Sequence, residues 1–200
     1  MQRLAILVVL VGCGEDNPNP GQADAAIDAP TSMLDGQFDG PSGAALTLTS
    51  PVVTEGGTIP MAVTCDGANT SPALAWTGHA MGAQSYAVVL TDTSNGVLHW
   101  VIYDIPASLT GLPENVMKVY APSNVMGAHQ TTSYQATVRG YLGPCPPPQD
   151  GGHSYEFALY GLSVATLPGT SMTTTRQQAV MLITQNMTAK ATLTGMYDRN

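Results

Sequence analysis

The sequence predicts a mainly β domain, an antiparallel β-sandwich decorated with a few short helices and one helix near the C-terminus. Three observations carry this expectation. The chain is rich in Thr, Gly and Pro, with 21 Gly and 15 Pro among 200 residues, and these favour strands and turns over helices. Short segments that alternate apolar and polar residues recur between turn signals. Only one segment, late in the chain, repeats its apolar residues at helical spacing.

The chain opens as an export signal. Arg3 is a minimal positive region and Leu4 to Val11 a short apolar run, too short to span a bilayer. A single charge before that run is what a shortened start would leave. The run ends in Leu10-Val11-Gly12-Cys13, which resembles a bacterial lipobox. Small or apolar residues there admit a signal peptidase to the bond before Cys13, whose thiol is the site of lipid attachment. The alternative is a chance apolar N-terminus carrying a buried cysteine. Residues 1–12 are therefore read as a lipoprotein signal peptide. A lipid on Cys13 would anchor the protein in the bacterial cell envelope, outside the cytoplasm, on the periplasmic face or at the outer membrane.

Residues 13–43 read as an acidic tether. They are rich in Pro, Gly, Ala, Asp and Asn, with Phe38 the one aromatic residue. Such a segment cannot bury enough apolar surface to offset its ordering entropy and is expected to stay disordered. It also holds much of the acidity. The whole chain has a net charge of -8, and residues 14–43 carry Glu15, Asp16, Asp24, Asp28, Asp35 and Asp39 with no base. Setting aside those six acids and Arg3 leaves eight acids against five bases. Nothing in this balance can neutralise a row of phosphates, which argues against a nucleic-acid partner.

The folded domain is expected from residue 44 to residue 200. Ala45 to Thr49 alternates apolar residues with Thr, as a half-buried strand does. Ile59 to Thr64 and Ala73 to Trp76 are short strand candidates, separated by Asp66-Gly67 and Ser71-Pro72 turn signals. Gln84 to Asp92 and Val97 to Ile105 are the strongest strands. In the second, Val97, His99, Val101 and Tyr103 share one face, while Leu98, Trp100 and Ile102 share the other. Both faces are largely apolar, so the strand is central and His99 is buried or lines a pocket. Residues 106–132 form a long excursion punctuated by Pro and Gly, and Tyr134 to Val138 is a further strand candidate. Ser154 to Leu162 reads as a strand. Thr174 to Ala189 reads as the helix, with Ala179, Val180, Ile183 and Met187 near helical spacing after a Thr run able to cap its start. Lys190 to Tyr197 closes the chain as a strand.

With Cys13 lipidated, Cys65 and Cys145 remain as a pair in an oxidising compartment. A disulfide would close a loop of about 80 residues, worth roughly 4 kcal/mol in the chain-entropy model. Two free thiols are the alternative. Neither cysteine has a second ligand at finger-like spacing, so no structural zinc is expected.

Gly143-Pro144-Cys145-Pro146-Pro147-Pro148 cannot continue a helix or a central strand, because each ring fixes φ and removes a donor. It predicts a rigid wall that hands over to the strand carrying His153 and Tyr155, a setting where proteins mount binding groups. The alternative is a plain structural turn with an exposed histidine. The usual catalytic signatures are missing: there is no nucleophile elbow, no paired-histidine zinc motif and no phosphate or dinucleotide glycine loop. The residues left as a candidate site are Asp92, His99, His153 and Tyr155, with Tyr141 near the wall. Imidazoles and a phenol could hold an anionic head group, and a carboxylate beside them would orient a histidine. A metal site from two His and one Asp, or acid/base catalysis, are the competing readings. Neither is favoured, for want of ligand spacing and of a nucleophile beside a histidine. His79 and His129 lie in loop-like surroundings and are expected to be solvated.

Cys65-Asp66-Gly67, Ser71-Pro72 with Leu74 and Trp76, Asp92, His99-Trp100, Ile105-Pro106, the wall and His153-x-Tyr155 follow one another in an order that resembles one family. It is the phosphatidylethanolamine-binding, Raf-kinase-inhibitor-like family, in its bacterial branch, and the likeness runs from about Leu46 to Arg199. The resemblance implies a Greek-key sandwich of two antiparallel sheets with a small anion or phospholipid head-group pocket at one end. It implies that Asp92, His99, Tyr141, Pro144, His153 and Tyr155 line that pocket, with no cofactor and no catalysis. It also implies a tendency to form homodimers. One departure stands out. The family pattern Asp-Pro-Asp-x-Pro is here Asp92-Thr93-Ser94-Asn95-Gly96, so a second carboxylate becomes Ser94 and both prolines are lost. The loop is expected to be less negative and more flexible, and Asn95-Gly96 suits a tight turn. Two functions follow as expectations: a lipid-anchored extracytoplasmic binding module, or a protein-interaction or inhibitor module acting on an envelope or host enzyme.

Overall fold

In a computed structural model of the chain, residues 45–136 and 138–199 are described. The expected signal peptide, the lipidation site Cys13 and the tether lie outside the described residues. Nine strands, a 3-10 turn and one α-helix follow in the order β1 (Thr47–Thr49), β2 (Gly57–Thr58), the turn (Met61–Val63), β3 (Leu74–Thr77), β4 (Ser85–Asp92), β5 (Val97–Pro106), β6 (Gly111–Leu112), β7 (His129–Gln130), β8 (His153–Leu162), α1 (Arg176–Asn186) and β9 (Met187–Tyr197). They form two sheets, a three-stranded one in the order β1-β3-β6 and a six-stranded one in the order β2-β9-β8-β4-β5-β7.

Period-two alternation sorts the large sheet's side chains onto two cores. Val88, Leu90, Trp100, Ile102, Phe157 and Leu159 join Leu48, Leu74, Trp76 and Leu112 of the small sheet in the core between the sheets. Ala87, Val89, Val101, Tyr103, Ala158 and Leu162 face the other way, under Ala179 and Ile183 of α1 and under Leu167. Because both faces are covered, β4 is buried along nearly its whole length. That explains its continuous apolar run.

Several elements differ from the sequence expectation. Ile59 to Thr64 forms no strand: β2 ends at Thr58, and a 3-10 turn follows whose N-cap is Pro60, a residue without a backbone donor for a ladder. Pairing is antiparallel throughout except between β2 and β9, which run parallel. Of the strand expected over Tyr134 to Val138, neither Tyr134 to Ala136 nor Val138 is in a strand. Ser133 N donates to Val138 O at 2.8 Å, and an isolated Thr132–Arg139 bridge closes a turn in which Ala136 has φ +56°. The helix is shorter than expected. Thr175 caps it in a capping box with Gln178, and it ends at Asn186 because Met187 and Ala189 pair with Leu162 and Gly161 of β8. Met187 is thus an exposed strand residue rather than a helical core position.

His129 is not simply solvated. It lies on β7, and its Nδ1 donates to Asp104 Oδ2 at 3.0 Å, with 29% of its side chain exposed. His79 is exposed. Asp104 takes φ +58° where the β4–β5 register slips. A second slip, between Leu90/Trp100 and Thr91/Leu98, leaves His99 as an extra residue on β5. Such a bulge re-aims the side chain it inserts. His99 accordingly packs its ring edge-on against Tyr155, a member of the core between the sheets, rather than following Val101 and Tyr103 to the other face.

Candidate functional site

Three backbone segments meet at one end of the large sheet: the end of β4, the His99 bulge of β5 and the start of β8. Asp92 is directly paired with Tyr155 across the β4–β8 ladder. Its carboxylate is buried. Oδ2 accepts from His153 Nδ1 at 2.7 Å and Oδ1 accepts from Ser94 N at 3.0 Å. The loop that departs from the family pattern is held on both sides. Gly96 N donates to Asp92 O at 2.7 Å, Thr93 N and Oγ1 donate to Ser154 O, and Ser94 Oγ accepts from Ser154 N at 3.0 Å. Local side-chain and backbone bonds thus take over the restraint that two prolines would impose. Gly96 has φ +78°, which the turn needs and a β-carbon would strain.

His153 sits between two carboxylates, with Asp150 Oδ2 at 3.3 Å from Nε2. The hydrogen bond to Asp92 is the main cause that raises its pKa, joined by the charges of Asp92 and Asp150, while burial opposes the shift. Tyr155 is fully buried, and its hydroxyl, although near Asp92 and the backbone of Cys145, meets neither in good hydrogen-bond geometry. Burial first, and the charge of Asp92 second, raise its pKa, so the phenol keeps its proton.

His99 is fixed by the wall. Its Nδ1 lies 3.1 Å from Leu142 O and 3.0 Å from Gly143 O. Carbonyls only accept, so Nδ1 carries the proton, and in the neutral ring Nε2 is left as an acceptor. Burial is the largest cause of its lowered pKa; the two carbonyls and Asp92 oppose it, and Arg176 adds to the lowering. The wall is itself pinned. Tyr141 donates its hydroxyl to Val63 O at 2.6 Å, Gly143 N donates to Asn69 Oδ1 at 2.8 Å, and Cys65 N donates to Pro144 O at 3.0 Å. Cys65 and Cys145 are joined by a disulfide with a Cα–Cα distance of 5.4 Å.

Five of the six residues singled out in the sequence converge: Asp92, His153 and Tyr155 directly, and His99 through Tyr155 and the buried wall that contains Pro144. Tyr141 is different. Its hydroxyl is committed to Val63 and its ring stands edge-on to Trp100, 5.4 Å between centroids, so it supports the wall from inside the core. Sequence reasoning missed Tyr134, whose ring centre lies 4.5 Å from that of His99. It also missed Arg176, which donates to Thr132 O and Ser133 O, holding the backbone just before Tyr134. Both come from segments with no recognisable motif, and only the fold brings them to His99. Among the described residues, no three His, Cys, Asp or Glu side chains converge as metal ligands. Cavities of about 480, 380 and 440 Å³ open along β1 and β9, at the start of α1, and beside Pro148 and Arg199.

Residues 49–198 match the family model described as phosphatidylethanolamine-binding protein. The chain belongs to the phosphatidylethanolamine-binding protein family. Among its relatives is a Mycobacterium tuberculosis protein named "Putative lipoprotein LppC", 32% identical over 200 residues, covering 98% of this chain and 92% of the relative. A UPF0098 protein of Methanothermobacter thermautotrophicus is 38% identical over 148 residues, covering 72% of this chain and 92% of the relative. The crystal structure of Escherichia coli YbcL, described as a member of the mammalian PEBP family, superposes with a TM-score of 0.71 at 28% identity, over 78% of this chain and 100% of that one. The phosphatidylethanolamine-binding protein fold therefore accounts for the two sheets, the late helix and the meeting of β4, β5 and β8.

Proposed function

We propose that this family member is a binding module whose site at Asp92, His99, His153 and Tyr155 accepts a small oxyanion, free or as a phospholipid head group. The observation that carries the reading is the fully buried Tyr155 hydroxyl beside His99, which makes no well-formed hydrogen bond to its neighbours Asp92 and Cys145. A buried donor is costly unless something completes it, and an anionic oxygen is a fitting acceptor. Neutral His99, with its free Nε2, complements the protonated oxygen of a monoanion, or takes up a proton when a dianion arrives. Asp92 and Asp150 both face His153 and offset its charge, so the site has no net positive field. That favours a monoanion or a zwitterionic head group over a highly charged ligand. Among the described residues no hydroxyl or thiol hydrogen-bonds to His99 or His153 as an activated nucleophile would, so the proposal is binding rather than catalysis.

Attachment follows from the Cys13 motif and is supported by the lipoprotein name of a relative. A lipid on Cys13 would hold the module at an envelope membrane, where head groups are abundant. Histidine NMR with separate additions of inorganic phosphate, glycerophosphoethanolamine and phosphatidylethanolamine vesicles tests the site. Phosphate alone moving His99 and His153 indicates a free anion; movement only with the two lipid-derived probes indicates a head group. Unmoved resonances with all three at millimolar ligand overturn the reading and leave the protein-interaction module in its place.

A further inference from the structure

The methionines lie on the outside. All eight within the described residues are at least 40% exposed, from Met196 at 40% to Met81 at 74% and Met126 at 79%, and none belongs to either core. Methionine is ordinarily among the residues most often buried. The cores here are instead built from Leu, Val, Ile, Ala and aromatic residues. The partition extends to other oxidisable groups. Trp76 and Trp100 are 3% and 0% exposed, and both cysteines within the described residues are already joined as a disulfide. An incoming oxidant therefore meets thioethers before indoles, and finds no thiol among the described residues. A disulfide of this kind belongs to an oxidising compartment, where peroxide-class oxidants act.

We propose that the exposed methionines form a regenerable oxidant sink, a modification surface that consumes peroxide while the fold stays intact. In each event one oxygen of hydrogen peroxide passes to the methionine sulfur. The O–O bond breaks, the S–O bond forms, sulfur gives up two electrons and the remaining oxygen leaves as water. The product sulfoxide is polar, which is disruptive in a core but is accommodated where the sulfur already faces water. Methionine sulfoxide reductases of the two stereospecificities, drawing on a thiol reductant, return the thioether. The sites lie on several elements, among them the 3-10 turn, α1 and β9. Met196 is paired with Ser154, on the face of β8 opposite His153 and Tyr155.

The full chain exposed to graded hydrogen peroxide, followed by intact mass, peptide mapping and thermal unfolding, tests the proposal. The expected result is a gain of about 16 Da at each of these eight sites, assigned by peptide mapping apart from Met1 and Met33. Met126 and Met81 should react before Met196, both tryptophans should stay unmodified, and the unfolding temperature should move by less than about 5 °C. Incubation with both reductases should then restore the original mass. A Met81→Leu, Met126→Leu double variant should lose the fastest phase of peroxide consumption. Cooperative unfolding before the eighth oxygen, tryptophan oxidation ahead of methionine, sulfoxides that the reductases cannot repair in the folded protein, or an unchanged fast phase in the double variant would each overturn it.

Discussion

Nδ1 of His153 lies 2.7 Å from Oδ2 of Asp92, and this contact joins the first residue of β8 to the last residue of β4. The two are 61 positions apart in the chain. The contact orients the imidazole and raises its pKa above 6.5, chiefly through the hydrogen bond. The folded state therefore holds the His153 proton more tightly than the unfolded chain does. Stability from this source is full below pH 6.5 and is lost as pH rises through the folded value. Asp92→Asn should lower the His153 pKa toward 6.5 and flatten that loss. An NMR titration that leaves the His153 pKa unchanged in Asp92→Asn would contradict the assignment.

His99 has the opposite sign. Burial holds its pKa below 6.5, so the unfolded chain takes up a proton first as the solution is acidified. Its contribution to stability is complete above pH 6.5 and declines as pH falls toward the folded value. Denaturant unfolding across this range should show the decline in the native protein and in His153→Gln, and show it reduced in His99→Gln. A bound dianion should raise the His99 pKa, so phosphate binding should take up protons, measurable as buffer-dependent heats in calorimetry.

The disulfide closes a separation of 80 residues between the turn at Cys65 and the wall at Cys145. Replacing both cysteines with Ser should cost roughly 4 kcal/mol by the chain-entropy account. It should also loosen the carbonyls of Leu142 and Gly143 and broaden or shift the His99 resonance. Chemical denaturation and histidine NMR of the double variant check the two effects separately. A stability loss without any change at His99 would show that the remaining hydrogen bonds fix the wall by themselves.

Gly143 has no room for a side chain. A β-carbon there would lie 2.1 Å from Val63 O, a rigid backbone atom. Gly143→Ala must push the wall away from Val63 and weaken the bonds from Tyr141, Asn69 and His99, with an expected loss of at least about 2 kcal/mol. Urea unfolding of the variant measures it, and native-like stability would mean that the wall is softer than its contacts imply.

Gln130 is the polar centre of the β5–β7 side. Its Oε1 accepts from Trp100 Nε1 at 2.7 Å, and its Nε2 donates to Met117 O and Val119 O at 2.8 and 2.9 Å. Gln130→Leu leaves the Trp100 donor and two carbonyls without partners, for an expected cost of about 3 kcal/mol or more. Thermal unfolding and tryptophan fluorescence report the loss. A neutral outcome would mean that water enters to replace the amide.

The sequence by itself determined the sandwich, the central place of β4, β5 and β8, and the Pro-rich wall, and it singled out Asp92, His99, His153 and Tyr155, which the fold brings together. Period-two alternation, proline chemistry and an ordered set of motifs are local properties of the chain and can be read along it. What only the tertiary structure decided depends on backbone competition and on groups far apart in sequence. The ladder of β8 claimed Met187 and Ala189 from the helix. One inserted residue in the β4–β5 register turned the His99 ring toward Tyr155, where strict alternation places it on the opposite face. Tyr134 and Arg176 reached His99 from a turn and from the first residue of α1. Tyr141 supports the wall because its hydroxyl donates a hydrogen bond to Val63 O. Alternation predicts which face a residue takes only while the ladder is unbroken, and here the ladder breaks at His99.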